Sequence, residues 1–100
     1  MNRAADPVEE FLSHLAVERR MSAHTLDAYR RDLLALREWT IGQSRDLLEL
    51  TSDDLRGFVA GEHRRGLAPK SLQRRLSACR SFYRWLLKQG RIAASPADAI

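Results

Sequence analysis

PKSLQRRLSACRSFYRWLLKQG, residues 69–90, is the stretch on which the reading of this chain turns. Pro69 suits the first turn of a helix and Gly90 its far end, and no glycine or proline interrupts the residues between. Leu72, Leu76, Cys79, Tyr83 and Leu86 recur at the helical period, with Phe82 and Leu87 widening the apolar stripe. Such a segment is an amphipathic helix that buries one side. The other side holds Lys70, Gln73, Arg74, Ser77, Ser81 and Lys88, flanked by Arg80 and Arg84. From His63 to Ala97 there is no Asp or Glu, while Arg64, Arg65, Lys70, Arg74, Arg75, Arg80, Arg84, Lys88 and Arg91 all fall there. Charge of one sign along a helix repels itself unless solvent screens it or a polyanion lies against it, and nucleic acid is the obvious polyanion.

Three further helices lead up to this one. The first opens with Asp6 as N-cap and Pro7 at the first helical position, carries Glu9 and Glu10 at the positive end of the helix dipole, and ends near Arg19-Arg20. Val8, Phe11, Leu12 and Leu15 make its apolar face. The second is capped by Ser22, buries Leu26, Tyr29, Leu33 and Leu36, and exits at Gly42; His24, Ala28, Arg31 and Ala35 lie opposite. Leu47, Leu48 and Leu50 in the following connection plug the core. The third opens at Thr51 or Ser52, turns Leu55, Phe58 and Val59 inward, and stops at Arg64-Arg65, with Gly66 just beyond. Gly57 and Gly61 each weaken it by about 1 kcal/mol relative to Ala, or else permit close packing against a neighbour. With no strand pattern and no repeat, the fold class is all-α: a compact bundle of four main helices plus a short C-terminal segment around Ile92.

The 100 residues make one domain, with a net charge of +4 distributed unevenly. Residues 1–50 carry 7 basic and 9 acidic side chains, residues 51–100 carry 10 and 4. A genomic bias explains why Arg outnumbers Lys by 15 to 2. It does not explain the missing acids. The single Cys79 excludes an internal disulfide and suits a reducing cytoplasm. There is no signal-like run and no membrane-length apolar stretch, so the expected location is cytoplasmic, with no membrane partner. His14, His24 and His63 lack metal-ligand spacing, no glycine loop cradles a phosphate, and Tyr29 and Tyr83 fall in apolar stripes. No cofactor, metal or catalytic residue is expected. Trp39 and Trp85 either cover helix junctions or face a neighbouring domain.

The basic face of the fourth helix has the chemistry of a duplex reader. Ser77 and Ser81 are small enough for close approach to a major groove about 12 Å wide, and their hydroxyls can donate to phosphates. Arg74 and Gln73 suit guanine or adenine edges, while Lys70 suits phosphate near a helix N-terminus. His24, Thr25, Ala28 and Arg31 make a companion surface if the second helix lies beside the fourth. The rival reading is a helical interaction module whose basic face takes an acidic protein.

Residues 18–33, ERRMSAHTLDAYRRDL, resemble the start of the second helix in the core-binding domain of tyrosine recombinases. Gly66-Leu67-Ala68-Pro69-Lys70-Ser71-Leu72, with Arg75-Leu76-Ser77-Ala78, Arg80-Ser81-Phe82-Tyr83 and Trp85-Leu86, resembles the fourth helix of the Xer branch, and its XerC more than its XerD type. The resemblance covers nearly the whole chain and implies a SAM-like core-binding domain over residues 1–94. Ser95-Pro96-Ala97 then resembles the exit toward a C-terminal catalytic domain, and residues 95–100 are expected to begin that linker. In this family the second and fourth helices face the major groove. That implies DNA-binding roles for His24, Thr25, Ala28 and Arg31, and for Lys70, Ser71, Gln73, Arg74, Ser77 and Arg80. The family's catalytic arginines, histidine, lysine and nucleophilic tyrosine lie in the C-terminal domain and match no position here. The resemblance therefore implies a non-catalytic grip on one recombination half-site. The whole recombinase would cleave and rejoin DNA through a 3′-phosphotyrosine, in a tetramer with a related second recombinase, during chromosome dimer resolution, DNA integration and partition at cell division.

Overall fold

The computed structural model describes residues 6–98 and residue 100. In it three of the four α-helices begin where a capping side chain answers an unpaired backbone N–H. Asp6 Oδ1 accepts from the Val8 N–H at 2.9 Å and Pro7 opens α1, Pro7–Val17. Ser22 Oγ accepts from the Thr25 N–H at 3.2 Å ahead of α2, Ala23–Gly42. After a single 3-10 turn, Leu47–Glu49, a capping box starts α3, Ser52–Arg64. There the Asp54 N–H donates to Thr51 Oγ1 at 3.1 Å and the Thr51 N–H to Asp54 Oδ2 at 3.0 Å. That backbone bond from Thr51 holds the Asp54 carboxyl below its ordinary pKa. Pro69 alone starts α4, Pro69–Lys88. No strand occurs among the described residues.

The helix ends follow one geometry with different residues. Gly66, at φ +90°, and Gly90, at φ +71°, occupy the left-handed position after α3 and α4, where a side chain is strained. α2 exits at Gly42 as expected, and the left-handed position beyond it falls to Ser44. Gly42 is the last helical residue, and Ser44 takes φ +55° so that its N–H reaches the Ile41 carbonyl at 3.0 Å and that of Arg45 the Thr40 carbonyl at 2.8 Å. α1 stops at Val17, short of the expected Arg19-Arg20, and Arg20 turns the chain at φ +51°.

The core gathers Val8, Phe11, Leu12 and Leu15 of α1, Leu33 and Leu36 of α2, Leu55 and Phe58 of α3, and Ala78, Cys79, Phe82, Tyr83 and Leu86 of α4. Leu47 and Leu50 plug it as expected, and the buried Tyr83 hydroxyl donates to the Leu47 carbonyl at 2.8 Å. Burial pushes the Tyr83 phenol up and the Cys79 thiol up to about 12. The stripes are narrower than the apolar residues imply. Leu26, Tyr29, Leu72 and Leu76 are half-buried, and Leu87 is 37% exposed. In α2 the buried set includes Asp32 and Thr40 instead. Both tryptophans cover junctions. Trp39 meets Phe58 edge-on at 5.8 Å, and Trp85 lies 5.4 Å from Phe11 and 5.8 Å from His14. A Cβ on Gly57 would meet Trp39 at 3.6 Å, an ordinary contact, and one on Gly61 would have Arg64 at 3.7 Å, so neither glycine is required for packing.

Ser95–Ala97, expected to open a linker, packs back on the bundle. Pro96 and Ala97 are buried, and Arg80 donates to the Ile100 carbonyl. Among the described residues no helix is long and apolar enough to cross a membrane.

Candidate nucleic-acid interface

α2 and α4 are packed neighbours. Between them runs a cleft of about 160 Å³ lined by Thr25, Ala28, Tyr29 and Asp32 on one side and Arg74, Ser77 and Ala78 on the other. Thr25, Ala28 and Asp32 are spaced for one face of α2, as Arg74, Ser77 and Ala78 are for α4. The companion surface expected of α2 thus adjoins the basic face of α4. His24 and Arg31 stand exposed on α2 beside this cleft's wall residues, and Lys70 and Gln73 are exposed on the first turns of α4. Ser71 is half-buried. Arg80 is half-buried too, lies outside the cleft lining and donates to the Ile100 carbonyl.

The charge arithmetic of α4 is corrected across helices. Asp32, 1% exposed, accepts from Arg74 twice, Nε to Oδ2 and Nη2 to Oδ1, both at 2.9 Å, and from Arg75 Nε at 3.0 Å. Glu62 of α3, also buried, accepts from Arg75 and Arg65. Two carboxylates and three guanidiniums therefore join α2, α3 and α4. The acids absent from the α4 sequence are supplied by its neighbours, for the arginines that turn inward. The residue pattern could not reveal this, because Asp32 sits between Arg31 and Leu33 like any solvated helix acid. The one available signal was its position seven residues after Thr25, in line with the α4-facing wall.

Arg74 stays accessible at the surface. It is 47% exposed, and two of its five N–H donors are spent on Asp32. The remaining three are free to donate, and the Asp32 carboxylate raises its pKa further by hydrogen bonding. Its fork is thus fixed in direction, as base-edge or phosphate recognition requires. Along α4 the exposed or half-exposed residues Lys70, Arg74, Ser77, Ser81, Arg84 and Lys88 follow one another at spacings of four, three, four, three and four residues, which is one straight face. Lys70, Arg84 and Lys88 form no ion pair among the described residues.

No cluster of His, Cys, Asp and Glu among the described residues could hold a metal. The Tyr83 hydroxyl is buried and engaged, which unsuits it to nucleophilic attack.

Residues 8–90 match the family model for the phage integrase, N-terminal SAM-like domain, and the chain belongs to that family, in the form carried by XerC-type tyrosine recombinases. It is 68% identical over 94 residues to Tyrosine recombinase XerC of Xanthomonas campestris pv. campestris (strain B100), an alignment covering 93% of this chain and 29% of that protein. Tyrosine recombinase XerC of Xylella fastidiosa (strain 9a5c) is 59% identical over 94 residues, 93% of this chain and 32% of the relative. That of Alcanivorax borkumensis is 43% identical over 90 residues, 90% and 29% respectively. The chain spans about a third of the length of these relatives.

Proposed function

We propose that this domain grips duplex DNA at one half-site of a recombination site, with the α2/α4 face seated in the major groove, and that it acts within a cytoplasmic site-specific recombinase resolving chromosome dimers. The observation that carries the reading is the α2/α4 cleft itself. Small residues, Ala28 and Ser77, line it beside Arg74, which keeps three N–H donors free after pairing with Asp32, and Lys70 forms no ion pair among the described residues, so the backbone of α4 can come close to a polyanion. In this reading Lys70 holds phosphate, Arg74 and Gln73 address base edges, and Thr25, Ser71 and Ser77 donate to phosphate or base. His24 and Arg31 extend the contact along α2, and Arg80 acts from the flank. Strand cleavage and exchange, with a second recombinase in a tetramer, belong to the remaining two thirds of the relatives' length. Residues 95–100 lead toward it.

The test is duplex binding by the chain, followed by fluorescence anisotropy over a series of KCl concentrations. The logarithm of the binding constant falls with the logarithm of salt, and Lys70→Ala reduces the slope by about 0.9 on every sequence. Arg74→Ala relaxes base preference in selection from a random duplex pool. Association with an acidic protein, and no binding of duplex DNA, would instead establish the interaction-module reading.

A further inference from the structure

A second cleft, of about 330 Å³, lies at the other end of the α4 face, where α1 replaces α2 as the wall. His14 and Arg19 contribute from the α1 side, and Ser81, Arg84, Trp85 and Lys88 from α4. Arg19, Arg84 and Lys88 form no ion pair among the described residues. Cations gathered in one concavity without a counter-charge repel one another, so an anion would be held there. The buried Trp85 Nε1 has no hydrogen-bond partner, an unmet donor beside the same cations.

The spacing along α4 says which anion. Lys70 and Lys88 are separated by about 27 Å at 1.5 Å per residue, and Arg74 and Arg84 by about 15 Å. Ser77 and Ser81 occupy the middle. A major groove is about 12 Å wide between its walls. A helix laid across it therefore reaches a phosphate strand with each end while its small residues cover the floor. We propose that the α1/α4 cleft is a second backbone clamp, holding phosphates of the strand opposite the one held at the Lys70 end. Arg19, Arg84 and Lys88 supply charge, and Ser81 and Trp85 supply neutral donors. This rests on the duplex-binding reading and adds to it a site, a strand and a direction for α4.

The experiment compares the chain with Arg84→Ala/Lys88→Ala, Arg19→Ala and Trp85→Phe by salt-dependent anisotropy, and by ethylation interference on both strands. The double variant should lower the salt slope by about 1.8 and Arg19→Ala by about 0.9. Trp85→Phe should leave the slope unchanged and weaken binding by about tenfold or more, the loss of one hydrogen bond to a charged group. Interference should vanish on one strand only in the double variant, and on the other in Lys70→Ala. An unchanged slope in the double variant and in Arg19→Ala, with the Lys70→Ala effect intact, overturns the clamp and leaves the α2/α4 interface standing. Absence of duplex binding by the unaltered chain overturns both. Should Trp85→Phe fail to fold, the three exposed cations carry the test.

Discussion

Replacing Asp32 with Ala should be among the most damaging single changes in the domain, although the residue reads as an ordinary helix acid. Its carboxylate is 1% exposed and accepts three N–H bonds, two from Arg74 and one from Arg75. Without it Arg75, whose side chain is only 14% exposed, keeps Glu62 as its one partner, and α2 loses its charged link to α4. Breaking a buried ion pair from one side costs about 3–5 kcal/mol, and the surviving Glu62 contact places this case near the lower end. A domain of this size has about 5–15 kcal/mol in all. With a urea dependence near 2 kcal/mol per molar, a loss of about 3 kcal/mol moves the midpoint down by about 1.5 M. Far-UV circular dichroism during urea titration reads this directly. The geometry also divides the effect between partners. The Asp32–Arg74 pair is half-exposed and should show a coupling below about 1 kcal/mol in a double-mutant cycle, with most of the loss carried by Arg75. A midpoint shift under about 0.5 M, or equal couplings for the two arginines, would refute the assignment of the knot to the interior.

Other consequences are smaller and separable. Gly57→Ala should stabilise α3 by up to about 1 kcal/mol, since the added Cβ meets only ordinary contact with Trp39; urea midpoints check it. Ser44→Gly should stabilise by about 1 kcal/mol by relieving the left-handed backbone after α2, measured the same way, while Gly42→Ala should not destabilise. The Asp54 pKa is lowered from 3.8 on folding, so its share of stability is complete above 3.8 and is lost as pH falls through the lower folded value. Thermal midpoints of the protein and of Asp54→Asn should therefore converge as pH falls through that window, and a constant difference would disprove the box. Cys79, its thiol pushed up to about 12 by burial, should react with iodoacetamide at mildly alkaline pH only as fast as the domain opens. Alkylation at the rate of a free thiol would contradict its place in the core.

Most of the fold is written in local signals that act within a few residues. Asp6-Pro7, Ser22, Thr51 with Asp54, Gly66 and Gly90 each do at the helix ends what their chemistry predicts. The apolar periods place the core because a helix face is a matter of spacing alone. What stays illegible depends on partners distant in sequence. Asp32 and Arg74 are 42 residues apart, and nothing near either marks the other. The same holds for Leu87, whose period puts it beside the stripe while no neighbouring helix arrives to cover it, and for Ala97, where Ser95-Pro96 signals a turn but nothing local says that the turn packs on the core. Ser44 shows the limit at short range: the left-handed position follows from where α2 stops, at Gly42, and no residue type at position 44 marks it. In the interface, residue type and the α4 face were legible. The wall opposite each half of that face, α2 for one and α1 for the other, required the packing.

The charged knot behind Arg74 also bears on how the domain meets a ligand. α4 cannot tilt, slide or draw away from α2 without stretching bonds to a carboxylate that water does not reach, so the gauge between the two rods is set before any encounter. Adjustment is left to the side chains at the rim. A surface of this stiffness sacrifices little freedom on contact with a partner.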